Sequence, residues 1–299
     1  MTTPPDRPVV VGVDGSLASY TAVGWGVAEA WRRGTALRLV HVVERAAGAD
    51  DPYRPTVGCG PAGAADEIAD NAAAYALGCL TDLDVSAATR SGRVDDCLVD
   101  ESRRAAVVVL GSRPCGALRR LFNGSPGARV AAHARCPLVV VRPRREPVGD
   151  LVDPRHGVGR VVVGVDGGDP SRAALRFAFE EAALRGVGLT AVHTWYYPLA
   201  TSSGDLIIAG FERLDPRLDG NEVLDEALTP LRERYPRVPV RPLSVPAVSP
   251  AAALLHESGG AELLVVGSRG RSGFAALLLG SVSQAAIHHA ACPVAVIHH

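Results

Sequence analysis

Lysine is absent from this chain of 299 residues, so all 31 basic residues are arginines. We interpret the absence as a compositional bias of the coding sequence. It nevertheless excludes chemistry that depends on a lysine amine, such as Schiff-base formation or a phosphate-binding lysine of the kinase or Walker type. The formal net charge is −1, which provides no electrostatic attraction to nucleic acid or to an anionic membrane.

Long apolar runs are missing as well. No segment approaches 18 uninterrupted apolar residues, so we expect no membrane-spanning helix. The first eight residues, Met1-Thr-Thr-Pro-Pro-Asp-Arg-Pro8, lack the apolar core of a signal peptide. We therefore expect a cytoplasmic protein without a membrane partner.

Metal-ligand clusters are also scarce. The six cysteines are scattered and form no C-x-x-C motif, which favours structural thiols in a reducing compartment. His288-His289 and His298-His299 lie near Cys292, but adjacent histidines on a helix point in different directions. We expect no metal site.

The chain contains a tandem repeat. Three pairs of segments match, the first two at an offset of 152 and the third at 156: Val10–Asp14 with Val162–Asp166, Leu39–Val42 with Ala191–Thr194, and Cys136-Pro137 with Cys292-Pro293. A repeat of this length predicts two domains, which we place at residues 1–145 and 159–299. The Pro- and Gly-containing residues 146–158 would form the linker.

Each repeat alternates short apolar runs with helical patterns. In the first repeat we predict helices from the cap Ser16 to Arg33, over about 68–83, over Val94–Arg104 and after Ser125. We predict strands at Pro8–Val13, Leu37–Val43, Val85–Thr89, Val107–Leu110 and Leu138–Val141. This alternation predicts an α/β fold with a parallel sheet covered by helices on both faces.

A glycine-rich loop stands out in the second repeat. Gly267-Ser-Arg-Gly270 follows an apolar strand, and Gly280-Ser281 comes nine residues later, before a helical pattern. Glycines permit close backbone approach, and a helix start offers unpaired N–H groups. This pattern predicts a phosphate cradle. Asp166 and Thr194 also follow or end strands, so they should converge on it.

These motifs together resemble the universal stress protein family. The resemblance rests on G-x2-G-x9-G-S after a strand, V-G-V-D-G at the start, V-H in the second strand and C-P-V before the last, and it covers nearly the whole chain as a tandem pair. It implies a Rossmann-like domain of five parallel strands in the order 3-2-1-4-5, and ATP binding. It also implies that the last strands pair the two domains within the chain, and it leaves a homodimer open.

Individual roles follow for the second repeat. Ser281 is predicted to contact phosphate, and Ser281-Val-Ser-Gln284 also matches a capping box. Arg269 could pair with phosphate. Asp166 could bind ribose hydroxyls or Mg²⁺, because Asp169 is better placed to cap the next helix. His193 is expected to be a packed strand residue. The full predicted site, including wall residues implied by the resemblance, is Asp166, Thr194, Val266, Gly267, Arg269, Gly270, Gly280, Ser281, Val282 and Ser283.

The first repeat departs from the pattern. Pro114 replaces the second glycine, Pro126 removes an N–H at the helix start, and Gly127 and Ala128 replace Ser283 and Gln284. Losing two donors at about 1.5–3 kcal/mol each predicts a weak or empty site. The residues of the first repeat that correspond to the predicted site of the second are Asp14, Val42, Gly111, Arg113, Gly124 and Ser125.

These features favour a nucleotide-binding stress-response regulator that turns ATP over slowly or not at all. Three alternatives stay open. One is an adenylating or pyrophosphatase-type enzyme, because Val165-Asp-Gly-Gly-Asp-Pro-Ser171 is superficially similar to a Ser-Gly-Gly-x-Asp-Ser loop. The second is a binder of AMP or cyclic AMP, and the third is a dimerisation module without a ligand.

Overall fold

The protein is described here by a computed structural model that covers residues 7–44, 62–112, 126–143, 159–195, 221–247, 249–270 and 279–298. The chain divides into two compact units, Met1–Arg145 and Glu146–Ile297, with His298 grouped with the first.

Unit 1 contains a parallel sheet in the order β3-β2-β1-β4-β5. Its elements are β1 (Val9–Val13), α1 (Leu17–Arg33), β2 (Leu37–Val43), α2 (Ala62–Cys79), β3 (Val85–Ser91), α3 (Val94–Ser102), β4 (Val107–Gly111), α4 (Pro126–His133) and β5 (Leu138–Val141).

Unit 2 repeats the plan, with its parallel sheet in the order β8-β7-β6-β9-β10. Its elements are β6 (Arg160–Gly164), α5 (Asp169–Arg185), β7 (Gly188–Trp195), α6 (Asn221–Arg234), β8 (Val240–Pro246), α7 (Pro250–Glu257), β9 (Leu263–Gly267), α8 (Ser281–His289) and β10 (Val294–Ile297). Both sheets therefore have the predicted strand order 3-2-1-4-5, and the α/β class is confirmed.

The central strands form the core of each unit because almost all of their residues are apolar. Val9 and Val11 in β1 are fully buried, as are Val161, Val162 and Val163 in β6. A strand that is buried on both faces needs no alternation of polar and apolar residues, which explains these continuous valine runs.

Capping residues set the limits of the helices that follow β1 and β6. Ser16 caps α1, as predicted, and its hydroxyl accepts a hydrogen bond from the N–H of Ser19 (3.3 Å). Both helices end at a glycine in the left-handed conformation, Gly34 (φ 62°) and Gly186 (φ 66°). Glycine adopts this conformation without steric cost, and the turn redirects the chain into the next strand.

Two predicted helix limits were wrong. Helix α2 covers Ala62–Cys79 rather than 68–83, because its first residues form a helix without an apolar stripe to reveal it. Helix α3 ends at Ser102 rather than Arg104. The N–H groups of Arg103 and Arg104 instead bond to the carbonyls of Asp100 and Glu101, three residues back, which tightens the chain into a turn.

Candidate functional site

The carboxyl ends of three strands of unit 2 meet at one edge of its sheet. Asp166 comes two residues after β6, Thr194 is the second-last residue of β7, and Gly267 ends β9. The chain runs outward from β6 through β7 to β8 and then returns to β9 on the other side of β6. Such a reversal opens a crevice above the sheet, which is the usual place for a ligand in this architecture.

A cavity of about 540 Å³ occupies this crevice. This volume falls within the range of small-molecule sites. All ten residues predicted for the second repeat line the cavity, namely Asp166, Thr194, Val266, Gly267, Arg269, Gly270, Gly280, Ser281, Val282 and Ser283. The structure thus brings together residues from four separate segments of the chain.

Helix α8 presents free backbone donors at the cavity. In the described part of the chain, the N–H groups of Ser281, Val282 and Ser283 have no hydrogen-bond partner. The N–H of Gly280 differs, because it donates to the carbonyl of Ser268 (2.9 Å). Three unpaired donors at the positive end of a helix dipole form a site that suits an anion.

The predicted capping box is wrong. Gly280, in an extended conformation (φ −68°, ψ 155°), is the N-cap, and no side chain caps α8. Ser281 is the first helical residue, and the side-chain amide of Gln284 donates to the carbonyl of Leu279 (3.1 Å). The hydroxyl of Ser281 is therefore not used to cap the helix, and its residue is exposed at the cavity.

Ser283 anchors the helix to the strand. Its side chain is buried, and its hydroxyl donates to the carbonyl of Gly267 (2.6 Å). This bond ties the first turn of α8 to the end of β9. Ser283 can therefore contribute its N–H to a ligand, while its hydroxyl holds the cradle in position.

Asp166 shapes the opposite side of the cavity. Its Oδ1 accepts a hydrogen bond from the N–H of Gly168 (2.8 Å). Gly270 approaches it so closely that a methyl group added at Gly270 would lie 3.3 Å from the Asp166 Oδ2. The loop after β9 and the turn after β6 therefore meet at this carboxylate.

The predicted capping role of Asp169 is wrong. The N-cap of α5 is Gly168, with no side-chain hydrogen bond, and Asp169 is the first residue of the helix. Asp169 and Pro170 still suit the first turn, because a negative charge and a missing N–H are both tolerated there. Asp166 orders the turn before the helix, so it has a structural role in addition to its position at the cavity.

The arginine of the loop remains available. Arg269 is exposed, lines the cavity, and makes no ion pair or hydrogen bond within the described residues. A guanidinium in this position can pair with an anion by two parallel hydrogen bonds.

Apolar side chains form the remaining walls. Thr194, Val266 and Val282 were predicted. The structure adds seven lining residues that sequence reasoning missed, the apolar Val165, Val192, Pro250, Leu254 and Leu279 together with Gly164 and Ser171. Pro250 and Leu254 could have been found, because α7 starts directly after the strand β8 and its first turn must then lie at the same edge of the sheet.

The strand histidines are packing residues, as expected. His193 Nδ1 lies 2.6 Å from the carbonyl oxygen of Val165. Its counterpart His41 makes the same contact with Val13 at 2.8 Å. Each imidazole links the ends of two neighbouring strands.

The corresponding region of unit 1 is partly described. Asp14, Val42 and Gly111 lie at the ends of β1, β2 and β4, whereas Arg113, Pro114, Gly124 and Ser125 lie outside the described residues. The Asp14 carboxylate accepts a hydrogen bond from the N–H of Ser16 (3.0 Å), much as Asp166 does with Gly168.

Two glycines of unit 1 are closer to their neighbours than their counterparts in unit 2 are. A methyl group at Gly111 would overlap the carbonyl oxygen of Ala18, whereas a methyl group at the equivalent Gly267 would stay 3.2 Å from Pro170. Leu110 is the counterpart of Val266. One of its methyl groups lies 2.7 Å from the position that a Cβ atom would occupy at Gly12.

An ion-pair cluster joins α3 to α4 in unit 1. The buried Asp95 contacts Arg93 and Arg129, both at 3.0 Å from its Oδ2. Burial raises the pKa of Asp95, but the Arg93 hydrogen bond, the N–H of Asp96 and the charge of Arg129 outweigh it and leave the pKa below its ordinary value. The equivalent positions of unit 2, at an offset of 156, are Ser249, Ala251 and Ala285, which cannot form such pairs.

The described residues include neither a candidate membrane-spanning helix nor a cluster of metal-ligating side chains. No helix there is long and apolar enough to cross a membrane. No three histidine, cysteine, aspartate or glutamate side chains come together there in a way that could hold a metal ion.

Comparison with known proteins identifies relatives over the full length. A universal stress protein of Mycobacterium tuberculosis (strain ATCC 25618 / H37Rv) is 38% identical over 294 residues, covering 96% of both chains. One from Mycolicibacterium smegmatis is 36% identical over 294 residues, covering 97% of this chain and 96% of the relative.

The fold is also that of a solved structure. A universal stress protein from Archaeoglobus fulgidus superimposes with a TM-score of 0.65 and 18% identity, covering 98% of this chain and 96% of that one. The sequence model of the Universal stress protein family matches twice, at residues 7–142 and 157–298. The chain therefore belongs to the universal stress protein family, as a member with two such domains in tandem.

Proposed function

We propose that unit 2 binds an adenine nucleotide, with ATP as its ligand, and that the protein is a nucleotide-dependent stress-response regulator rather than an enzyme. The observation that carries this proposal is the group of unpaired N–H donors at Ser281, Val282 and Ser283, which border a cavity with apolar walls. A nucleotide needs this combination, because its phosphates are anionic and its base is flat and largely apolar.

Each end of the cavity suits one part of the ligand. The phosphates would lie against the first turn of α8 with Arg269 beside them. The base would pack against the apolar side chains of Val165, Val192 and Leu254. Asp166 would then face the ribose or a Mg²⁺ ion that accompanies the phosphates.

Slow or absent turnover follows from the groups around the cradle. The chain has no lysine to neutralise a transferred phosphoryl group. The one carboxylate lining the described cavity is Asp166, which is already hydrogen-bonded to the turn before α5. Binding that alters conformation or partner choice is the activity that these groups support.

Unit 1 is proposed to bind nucleotide weakly or not at all. Leu110 reaches over Gly12, and Gly111 is pressed against α1. Leu110 is larger than Val266, its counterpart in the wall of the unit 2 cavity, and would leave less room for a base. The prolines at positions 114 and 126 remove further donors.

Mass spectrometry of small molecules released from denatured, freshly purified protein would test the proposal. We expect ATP at about one molecule per chain, and titration calorimetry of nucleotide-free protein should find the same stoichiometry. AMP or cyclic AMP binding more tightly than ATP would change the ligand but keep the site. Two equal sites would contradict the asymmetry, and no adenine nucleotide binding at all would refute the proposal.

The enzyme alternative is tested by a coupled pyrophosphate assay. We expect no pyrophosphate release above that of buffer when ATP is present with a panel of carboxylate acceptors. Release that depends on protein concentration and is lost on Asp166→Asn would favour an adenylating enzyme.

A further inference from the structure

Unit 2 has a second cavity, which lies between α5 and α6 rather than above the sheet. We call it the α5–α6 groove and define it by its lining residues Arg172, Leu175 and Arg176 of α5 and Val223, Ala227 and Leu231 of α6. Its volume is about 480 Å³, which falls within the range of small-molecule sites.

The floor of the groove is apolar. Leu175 and Leu231 are buried beneath it, and Val223 and Ala227 are half-buried along its side. Pro230 also lines the groove, and because proline has no N–H it cannot donate to the carbonyl of Glu226 four residues earlier. The floor therefore offers contact to a hydrocarbon body.

The edge of the groove carries an unequal distribution of charge. Arg172 pairs with Glu226 across the groove (3.5 Å). Arg176, one turn further along α5, is exposed and makes no ion pair or hydrogen bond within the described residues. One guanidinium next to an apolar floor is thus available for an anion.

The same seam is filled in unit 1. Tyr20, which corresponds to Arg172 at the offset of 152, packs edge-on against Tyr75 of α2 with ring centroids 5.2 Å apart. The Tyr75 hydroxyl lies over Gly24, the counterpart of Arg176, at 3.8 Å from where a Cβ would stand. Two tyrosine rings therefore lie along this seam in unit 1, so an aromatic side chain at the seam is compatible with the fold.

We propose that the α5–α6 groove is a second ligand site, and that it takes a small amphipathic carboxylate whose hydrocarbon body lies on the leucine floor and whose carboxylate pairs with Arg176. Charge complementarity and the size of the groove support this ligand class. The site is separate from the nucleotide cavity, so the proposal does not depend on nucleotide binding.

Calorimetric titration of the full chain with decanoate, in the presence of saturating ATP, tests this site. We expect saturable binding with about one site per chain, and no saturable binding of acetate, which has the charge without the hydrocarbon body. Competition between ATP and decanoate would place the decanoate in the nucleotide cavity and overturn the proposal. The absence of saturable decanoate binding would overturn it as well.

Two variants and a matched control locate the site. Arg176→Gln should weaken decanoate binding about tenfold, because it removes one charge-assisted hydrogen-bonding group. Arg237→Gln removes the same charge from an exposed position outside the groove and should leave the affinity unchanged. Equal effects of the two variants would show a non-specific charge contribution and contradict the proposal.

Filling the groove provides an independent check. Ala227→Phe should abolish decanoate binding while the melting temperature stays close to that of the unmodified chain, as the tyrosine-filled seam of unit 1 suggests. Unchanged decanoate binding in a folded Ala227→Phe variant would exclude the groove. If this variant does not fold, Arg176→Gln still decides the question.

Discussion

The two units have the same strand order, yet they differ at the edge of the sheet where a ligand would bind. In unit 2, Val266 and Gly267 leave a cavity that the start of α8 borders. In unit 1, Leu110 and Gly111 occupy the same positions, and both are in closer contact with their surroundings. The same strand order therefore accommodates a different side-chain size at one position and a closer contact between a strand end and its helix.

The two units also differ in the contacts between their helices. Unit 1 holds α3 to α4 with the Asp95 ion pairs and fills the α1–α2 seam with two tyrosines. In unit 2, small neutral residues stand where unit 1 has the Asp95 ion pairs, and the α5–α6 groove lies where unit 1 has the two tyrosines. Unit 1 thus has ion pairs and an aromatic contact between helices that unit 2 lacks at the equivalent positions.

The largest expected effect comes from adding a methyl group at the end of β4. Gly111→Ala would place its Cβ against the backbone of Ala18, and backbone atoms cannot move aside as a side-chain end can. We expect a loss of about 3 kcal/mol in the free energy of unfolding, measured by urea denaturation. The matched change Gly267→Ala should cost about 1 kcal/mol, because its nearest contact is 3.2 Å. Equal losses would show that β4 and β9 lie equally close to the helices packed against them.

Transferring the proline of unit 1 into unit 2 should have the next largest effect. Gly270→Pro removes an N–H from the loop and crowds the Asp166 carboxylate. We expect ATP affinity to fall about a hundredfold, or about 2.7 kcal/mol, in calorimetric titration. Gly78→Ala, at a site with no neighbour within 4 Å of the added methyl group, is the control. Unchanged ATP affinity in Gly270→Pro would mean that this loop does not hold the phosphates.

Enlarging one wall residue should have a smaller effect. Val266→Leu recreates in unit 2 the side chain that reaches over Gly12 in unit 1, so it should reduce the space for the base. We expect about a tenfold loss of ATP affinity with little change in stability. Leu110→Val in unit 1 is the reciprocal change, and alone it should not create a second ATP site, because positions 114 and 126 still lack donors.

The smallest effect concerns the ion pairs of unit 1. Because the folded pKa of Asp95 lies below its unfolded value, its carboxylate stabilises the fold above an unfolded pKa of about 3.9. This contribution is lost as the pH falls through the folded value. Asp95→Asn should therefore cost about 1 kcal/mol at pH 7 in urea denaturation, and the difference from the unmodified chain should shrink below about pH 4.

A control for this pH dependence lies on the same helix. Asp100 is 60% exposed and pairs only loosely with Arg90 and Arg103, so Asp100→Asn should change stability by less than about 0.5 kcal/mol. A difference between Asp95→Asn and the unmodified chain that stays constant down to pH 3 would contradict the role given to Asp95.

Much of the site could be predicted because its motifs follow short-range rules. Gly267, Gly270 and Ser281 lie between a strand and a helix, and the parallel sheet brings the ends of β6, β7 and β9 together. The predictions that failed concern the limits of α2 and α3 and one-residue differences at two helix starts. Gly168 and Gly280 are the caps instead of Asp169 and Ser281, because a cap depends on the backbone angles of one residue.

The amino-acid sequence by itself determined the α/β class, the tandem repeat and the place of the glycine loop, since periodicity and strand–helix alternation act over a few neighbouring residues. Only the tertiary structure decided how closely each strand end approaches its helix and whether the seam between two helices is open. Those properties depend on distances between atoms far apart in the chain, such as Leu110 and Gly12, where a few tenths of an ångström separate contact from overlap.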